Sequence, residues 1–290
     1  MFPIQVNDNL WVLGNDYFYI YLIKGRNSSA LVEMGVSATA DLLLEQLALL
    51  GAKPDFLIVS HPHSDHITGL DPLRRAFPLA TVMAAKGAES FLTHPRTSEA
   101  MIREDLHMTE FLASHGMIAK RRAMTTPPSL SGCRVVNDAD ELDLGGVSTR
   151  FLDAKGHSPG NILVHIPEIN ALLVSDSLGN LYPGKGFFPI FFTGYSDYLA
   201  TIDSLAAHDP MFLGLGHNGM FTGREEIREV IREARKNAES VKSYVIRDTR
   251  DDEAIARDLF RFYYCDELAI YSPANILNCC RLLVRRSREC

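Results

Sequence analysis

Short apolar runs separated by turn residues fill the chain up to about residue 222. The runs at 10–13, 17–24 and 29–33 are rich in branched and aromatic residues, which favour β-sheets. The run Phe56-Leu57-Ile58-Val59 has no polar position and predicts a buried strand. Similar runs recur at 80–85, 141–144, 147–152, 162–166, 171–175 and 212–215. This pattern predicts a region built largely on β-strands.

A mostly polar helical stretch over residues 87–125 interrupts this pattern. Met101, Met108 and Leu112 fall near one face of it, and Met117 and Met124 lie beyond. Two interpretations stay open. The segment is a packed helical insertion, or it is a flexible lid over an apolar ligand, because methionine adapts to irregular ligands.

Capping residues predict where several helices begin. Ser37 is expected to cap one helix, and Thr222 with Glu225 has the pattern of a capping box. Asp251-Asp252 begins a further helix, and Ser272-Pro273 opens another as N-cap and first helical residue. One face of the helix that follows Asp251 is expected to point inward: Ile255, Leu259 and Phe262.

The helical period persists beyond residue 222. We therefore expect a domain over 1–222, with the helical insertion at about 87–125, and a C-terminal helical extension over 223–290. The extension is expected to contribute to a cleft or to a homodimer contact.

The composition narrows the class of protein. An apolar content of 46% with 22% charged residues is typical of a soluble globular domain. The net charge of −7 disfavours a nucleic-acid partner, and no apolar run reaches the ~20 residues of a membrane span. The first residues lack a signal-peptide pattern, and the five cysteines are odd in number. We expect a cytoplasmic protein with reduced thiols and no membrane partner.

Four potential metal ligands lie within six residues directly after the run at 56–59. Neutral imidazoles and carboxylates supply the lone pairs that a divalent ion needs. His61 and His63 are expected to point to one side of a proline-stiffened loop, and Asp65 with His66 can address a second position.

This HxHxDH motif resembles that of the metallo-β-lactamase-fold hydrolases. The resemblance implies an α+β fold, the four-layer αββα sandwich, and it requires further ligands in a fixed order. His157 lies in a Gly-His-Ser-Pro-Gly loop, Asp176 follows an apolar strand and His217 follows another.

The resemblance implies two divalent metal ions, for which zinc, iron and manganese are all admissible. By this resemblance the ligands of the first ion are His61, His63 and His157, those of the second are Asp65, His66 and His217, and Asp176 bridges the two. A hydroxide shared by the ions would attack the substrate, and Asp65 is expected to orient that hydroxide.

Glu33-Met34-Gly35 stands where the family usually has Asp-x-Gly, whose acidic residue braces the metal loop from behind. Glu33 is expected to do the same with a longer arm. A zinc β-lactamase of the commonest type would have another residue at His66 and a cysteine ligand near Asp176. Glyoxalase II shares the seven ligands and a helical C-terminal part, but it usually has a histidine at Asn161.

The sequence also resembles the thioesterases of alkylquinolone signalling. The shared features are Glu33, the helical insertion, the loop at 156–158 and the helix start at Ser272-Pro273. This resemblance implies hydrolysis of a thioester, ester or lactone, with a small-molecule acyl substrate. Two alternatives stay open. One is a phosphodiesterase or nuclease that uses the same ions, and the acidic balance disfavours it. The other is a metal-containing regulatory protein whose turnover is incidental.

Overall fold

The computed structural model describes residues 2–119, 124–182 and 185–289. The chain divides into two compact units, the first of residues 1–153 and 159–170 and the second of residues 154–158 and 171–290. Within the described residues, no helix combines the length and the apolarity that a membrane crossing requires.

The first unit contains a seven-stranded sheet in which strand order follows chain order. Its first four strands are antiparallel neighbours, and the fourth to seventh run parallel. Parallel strands are normally covered on both faces, and the fourth strand is buried along its whole length. The strands are β1 (Ile4–Gln5), β2 (Leu10–Gly14), β3 (Tyr19–Lys24), β4 (Ser29–Val32), β5 (Phe56–Val59), β6 (Thr81–Ala85) and β7 (Arg134–Val136).

The three remaining strands of the first unit pair with one another in antiparallel fashion. They are β8 (Glu141–Asp143), β9 (Ser148–Asp153) and β10 (Ile162–Ile166). Gly145 and Gly146 join β8 to β9 with φ values of 89° and 83°, which glycine adopts without strain. The helices of this unit are α1 (Ala40–Leu49), α2 (Ser64–Ile67), α3 (Leu70–Ala76), α4 (Ala88–Leu92) and α5 (Pro95–Ser114), with 3₁₀ turns at Ser37–Thr39 and Pro167–Ile169.

The second unit combines short strands with longer helices. Its strands are β11 (Ala171–Ser175), β12 (Asn180–Tyr182), β13 (Gly186–Phe188), β14 (Phe212–Leu215) and β15 (Met220–Thr222). Its helices are α6 (Tyr195–His208), α7 (Arg224–Arg247), α8 (Asp252–Tyr263) and α9 (Pro273–Arg288), with a 3₁₀ turn at Asp266–Ile270. The predicted helical extension thus corresponds to α7, α8 and α9. That residue 222 separates a catalytic domain from this extension stays a prediction.

Two of the predicted helix caps are confirmed and two are wrong. Asp251 accepts a hydrogen bond from the backbone of α8, and Ser272 accepts one from the backbone of α9. Thr222 lies in β15, and Gly223 is the N-cap of α7. Ser37 does not cap α1, because its hydroxyl is bonded to the carboxylate of Asp105 instead.

The inward face of α8 was also predicted incorrectly at one position. Ile255 and Leu259 are buried, but Phe262 is 63% exposed. Tyr263 takes the inward position, because residues four apart share a helix face and 255, 259 and 263 form that series.

Helix α5 of the insertion is anchored to the first unit by one buried carboxylate. Asp105 is fully buried and accepts hydrogen bonds from the Ser37 backbone N–H at 3.1 Å and the Ser37 hydroxyl at 2.6 Å. It also accepts one from the Thr68 hydroxyl at 2.6 Å. Met101 and Met108 are buried on the same helix, which supports the packed interpretation of this segment.

Replacing Asp105 by alanine is expected to lower the free energy of unfolding by about 2–4 kcal/mol, because Ser37 and Thr68 lose a buried acceptor. Urea denaturation followed by circular dichroism measures this change. Glu110→Ala is a matched control, since Glu110 is exposed on the same helix, and it should shift the free energy by less than about 0.5 kcal/mol. Equal losses in the two variants would contradict the anchoring role.

Candidate metal centre

Two neighbouring parallel strands, β4 and β5, bring Glu33 beside the histidine-rich loop. Val32 of β4 pairs with Ile58 of β5, and the Glu33 N–H donates to the Ile58 carbonyl at 3.1 Å. Because the carboxyl ends of parallel strands meet at one edge of a sheet, the residues after Val32 and Val59 are neighbours.

The loop after β5 is short and internally bonded. The His66 N–H donates to the His63 carbonyl at 3.1 Å, which closes the single turn of α2. His61 Nε2 and His63 Nδ1 lie 3.1 Å apart, and His61 Nδ1 lies 3.1 Å from the Ser60 hydroxyl oxygen. The loop therefore brings His61 Nε2 and His63 Nδ1 together, and the Ser60 hydroxyl contacts the other nitrogen of the His61 ring.

Glu33 braces His66 from behind, as the sequence predicts. His66 Nδ1 donates to Glu33 Oε2 at 2.8 Å, and both side chains are buried. A carboxylate can only accept, so Nδ1 carries the proton and Nε2 carries the lone pair. That Nε2 lies 3.4 Å from Asp65 Oδ2. Glu33 adopts a left-handed backbone with φ of 73°, which costs a residue other than glycine about 1–2 kcal/mol.

His157 is fixed by a loop that only glycine can form. At Gly156, with φ of 96°, an added Cβ would lie 2.2 Å from the Tyr198 backbone nitrogen. The His157 Nδ1–H donates to the Ile190 carbonyl at 2.9 Å, so its Nε2 carries the lone pair. This Nε2 lies 3.6 Å from Asp176 Oδ2.

Asp176 and His217 follow two paired strands. β11 and β14 are parallel, with Ser175 opposite Leu215, and the Gly216 N–H donates to the Ser175 carbonyl at 3.2 Å. The two ligand candidates therefore leave the sheet at the same edge. His217 Nε2 lies 3.4 Å from Asp176 Oδ1.

All seven candidate ligands belong to two groups whose ligand atoms lie within 4.8 Å of one another. The first group is His61, His63, His157 and Asp176, and the second is Asp65, His66, Asp176 and His217. Asp176 belongs to both groups, as the resemblance implies for a bridging carboxylate. His63 is half-buried and the other six are buried.

The donor set fits divalent metal ions. Bonds of ~2.1 Å to one ion in tetrahedral geometry place the ligand atoms ~3.4 Å apart. The separations of 3.1 Å for His61 and His63 and 3.4 Å for Asp176 and His217 match that spacing. Partners at Nδ1 of His66 and His157 leave Nε2 as the atom that would bind an ion in both rings.

Among the aromatic residues that follow Asp176, one lies against a candidate ligand. Phe187, Phe188, Phe191 and Tyr195 are buried and pack inside the second unit. Phe192 is half-buried, and its ring lies 5.5 Å from the His157 ring.

Three contributions to the site were not predicted. Phe91 on α4 is half-buried, with its ring 5.7 Å from that of His63. Ser60 lies against His61 in the loop itself. Tyr271 places its hydroxyl 3.5 Å from His217 Nε2, and no periodicity or spacing in the sequence relates residue 271 to residue 217.

The arginines of α9, which would suit a phosphate-bearing ligand, are already paired. Arg281 is bonded to Glu253, Arg286 to Glu289 and Arg288 to Asp252. These pairs are exposed except at the half-buried Arg286, so each contributes little to stability, but they occupy the cations that a phosphate group would need.

Residues 15–217 match the family model of the metallo-β-lactamase superfamily. An uncharacterized protein of Bacillus subtilis, YobT, is 24% identical over 74% of this chain and 90% of its own length. A hydroxyacylglutathione hydrolase of Ruegeria pomeroyi is 26% identical over 67% of this chain, and the match spans only 59% of that enzyme.

Solved structures confirm the predicted fold class. The archaeal metallo-β-lactamase superfamily protein ST1585 of Sulfolobus tokodaii superposes with a TM-score of 0.64 at 17% identity, over 97% of this chain and 99% of that one. The family protein TTHA1429 of Thermus thermophilus gives a TM-score of 0.65 at 18% identity, over 94% and 93%. The matched region covers more than half of the sequence, and the chain belongs to the metallo-β-lactamase superfamily.

Proposed function

We propose that this protein is a dinuclear metal-dependent hydrolase that cleaves a thioester, an ester or a lactone. The observation that carries the proposal is the pair of ligand groups that share Asp176. Zinc, iron and manganese all suit a set of five imidazoles and two carboxylates. When bound, such ions lower the pKa of a water molecule and polarise the carbonyl oxygen of the substrate.

The side chains of the protein hold the ligands in position and supply a proton acceptor. His66 and His157 are held at Nδ1 by Glu33 and by a backbone carbonyl, so their rings cannot turn away from the site. Asp65, next to His66 Nε2, orients the attacking water and accepts its proton. In the reaction the acyl carbon gains a bond to the water oxygen and loses its bond to sulfur or oxygen. The leaving group departs with the proton.

An acyl substrate is supported by the surroundings of the ligands. Half-buried aromatic rings, Phe91 beside His63 and Phe192 beside His157, offer apolar contacts to an acyl group. The similarity to a hydroxyacylglutathione hydrolase, by name a hydrolase of an acyl derivative of glutathione, also supports a thioester or ester. The net charge of −7 and the paired arginines of α9 disfavour a polyphosphate or nucleic-acid substrate.

His63→Ala is expected to remove about one metal ion per chain and to lower kcat/KM for p-nitrophenyl esters and acyl thioesters by at least about 100-fold. Metal content is measured by plasma emission spectrometry on protein prepared with ample zinc, iron and manganese. His115→Ala is the matched control, because His115 is exposed and stacks on Phe111.

Three outcomes would overturn the proposal. Wild-type protein that retains no metal would remove its basis. Turnover that survives His63→Ala would point to a regulatory protein with incidental activity. Preferred cleavage of bis-p-nitrophenyl phosphate over every ester would instead indicate a phosphodiesterase.

Glu33→Gln is expected to weaken binding of the metal at the second ligand group by about tenfold, because an amide stabilises a coordinated imidazole less than a carboxylate does. Competition with a chromogenic chelator measures this affinity. Glu45→Gln makes the same chemical change at an exposed position and should leave the affinity unaltered. Identical affinities in wild type and Glu33→Gln would contradict the bracing role.

A further inference from the structure

Tyr271 brings a phenol hydroxyl to the edge of the second ligand group. Its oxygen lies 3.5 Å from His217 Nε2, and the two rings meet edge to face with centroids 6.3 Å apart. The side chain is only 7% exposed. The hydroxyl is thus about as close to His217 Nε2 as Asp176 Oδ1, which lies 3.4 Å from that nitrogen.

The backbone around Tyr271 is held from both sides. Its N–H donates to the Leu268 carbonyl at 3.0 Å, and its carbonyl accepts from the Tyr264 hydroxyl at 3.1 Å. The next residue, Ser272, caps α9. The 3₁₀ turn before Tyr271, the burial of its ring and the helix cap after it all restrict this residue. Its hydroxyl is therefore held at a defined position.

At 3.5 Å the contact between the hydroxyl and His217 Nε2 is at the long limit of a hydrogen bond. A hydrogen bond to a ring nitrogen has its optimum near 2.9 Å, and a nitrogen that coordinates an ion has no lone pair left to accept one. A neutral phenol is instead a donor suited to an oxygen that is gaining negative charge.

We propose that Tyr271 is a catalytic residue that donates a hydrogen bond to the carbonyl oxygen of the acyl substrate as water adds to the acyl carbon. This inference rests on the proposed function. In the step, the C–O bond to water forms, the carbonyl π electrons move to the oxygen, and the Tyr271 O–H stabilises that oxyanion without transferring its proton. The electrons return when the leaving group departs, and the hydrogen bond then weakens.

The helical extension thereby supplies a reactive group to the centre. The ligand motif covers residues 61–217, and the donor comes from the segment between α8 and α9. The hydrolase core and the tail therefore have to be present together for full activity.

Tyr271→Phe tests this role, because it removes only the hydroxyl. We expect kcat for p-nitrophenyl butyrate and for an acyl thioester to fall roughly 10–100-fold, with KM changed less than about threefold and metal content unchanged. Tyr182→Phe is the matched control, since it removes a buried phenol hydroxyl that is bonded to the Tyr263 carbonyl, and it should keep both constants. Thermal melting verifies that both variants fold.

A second measurement is independent of turnover. Methylphosphonate has a tetrahedral centre with charged oxygens, and it is titrated into cobalt-loaded protein while the cobalt absorption is followed. Tyr271→Phe should weaken its binding about tenfold, and Tyr182→Phe should not. If wild type hydrolyses no acyl substrate, the proposed function fails, and this titration still decides whether Tyr271 contacts an oxyanion.

Two results would overturn the inference. One is equal methylphosphonate affinity in wild type and Tyr271→Phe. The other is a phenolate-to-iron charge-transfer band in iron(III)-loaded wild type that Tyr271→Phe lacks, because it would make Tyr271 a metal ligand and not a hydrogen-bond donor.

Discussion

The constraint behind this structure is the burial of carboxylates and imidazoles within a few ångströms of one another. Desolvated carboxylates are costly unless cations or hydrogen bonds compensate them. Asp65 and Asp176 stand among five histidine rings, a composition that divalent cations satisfy and that an apolar core would not tolerate. The strained backbone at Glu33 and the crowded Gly156 are costs that the fold accepts in order to orient these rings.

The ligand positions are predictable from the sequence because most of them come within a few residues of the end of a strand, in motifs that resemble those of the family. The HxHxDH loop leaves β5, and Asp176 and His217 follow β11 and β14, which are parallel neighbours, so the last two ligands leave one sheet at the same edge. The brace at Glu33 was predicted from the family's Asp-x-Gly position, and the parallel pairing of β4 with β5 explains how it is placed. These inferences depend on short stretches of sequence and on their resemblance to the metallo-β-lactamase-fold hydrolases.

Other features depend on contacts between distant parts of the chain. Asp105 looks like one polar residue among many on α5, and nothing in its neighbourhood relates it to Ser37 or Thr68. Ser37 has the side chain of a helix cap, but a stronger charged acceptor takes its hydroxyl. Phe262 was assigned to the wrong face of α8, because an apolar residue next to a buried position fits the helical period almost as well as Tyr263 does.

The cap at Ser272 couples the start of α9 to the placement of the residue before it. α9 is tied to α8 by exposed ion pairs, among them Arg281 with Glu253 and Arg288 with Asp252. Such pairs are weakened by salt and contribute little, so the buried side chains of α9, among them Ile276, Leu283 and Val284, hold this helix in place. Because Tyr271 directly precedes this cap, a substitution at Ser272 is expected to displace the phenol as well as the first turn of α9.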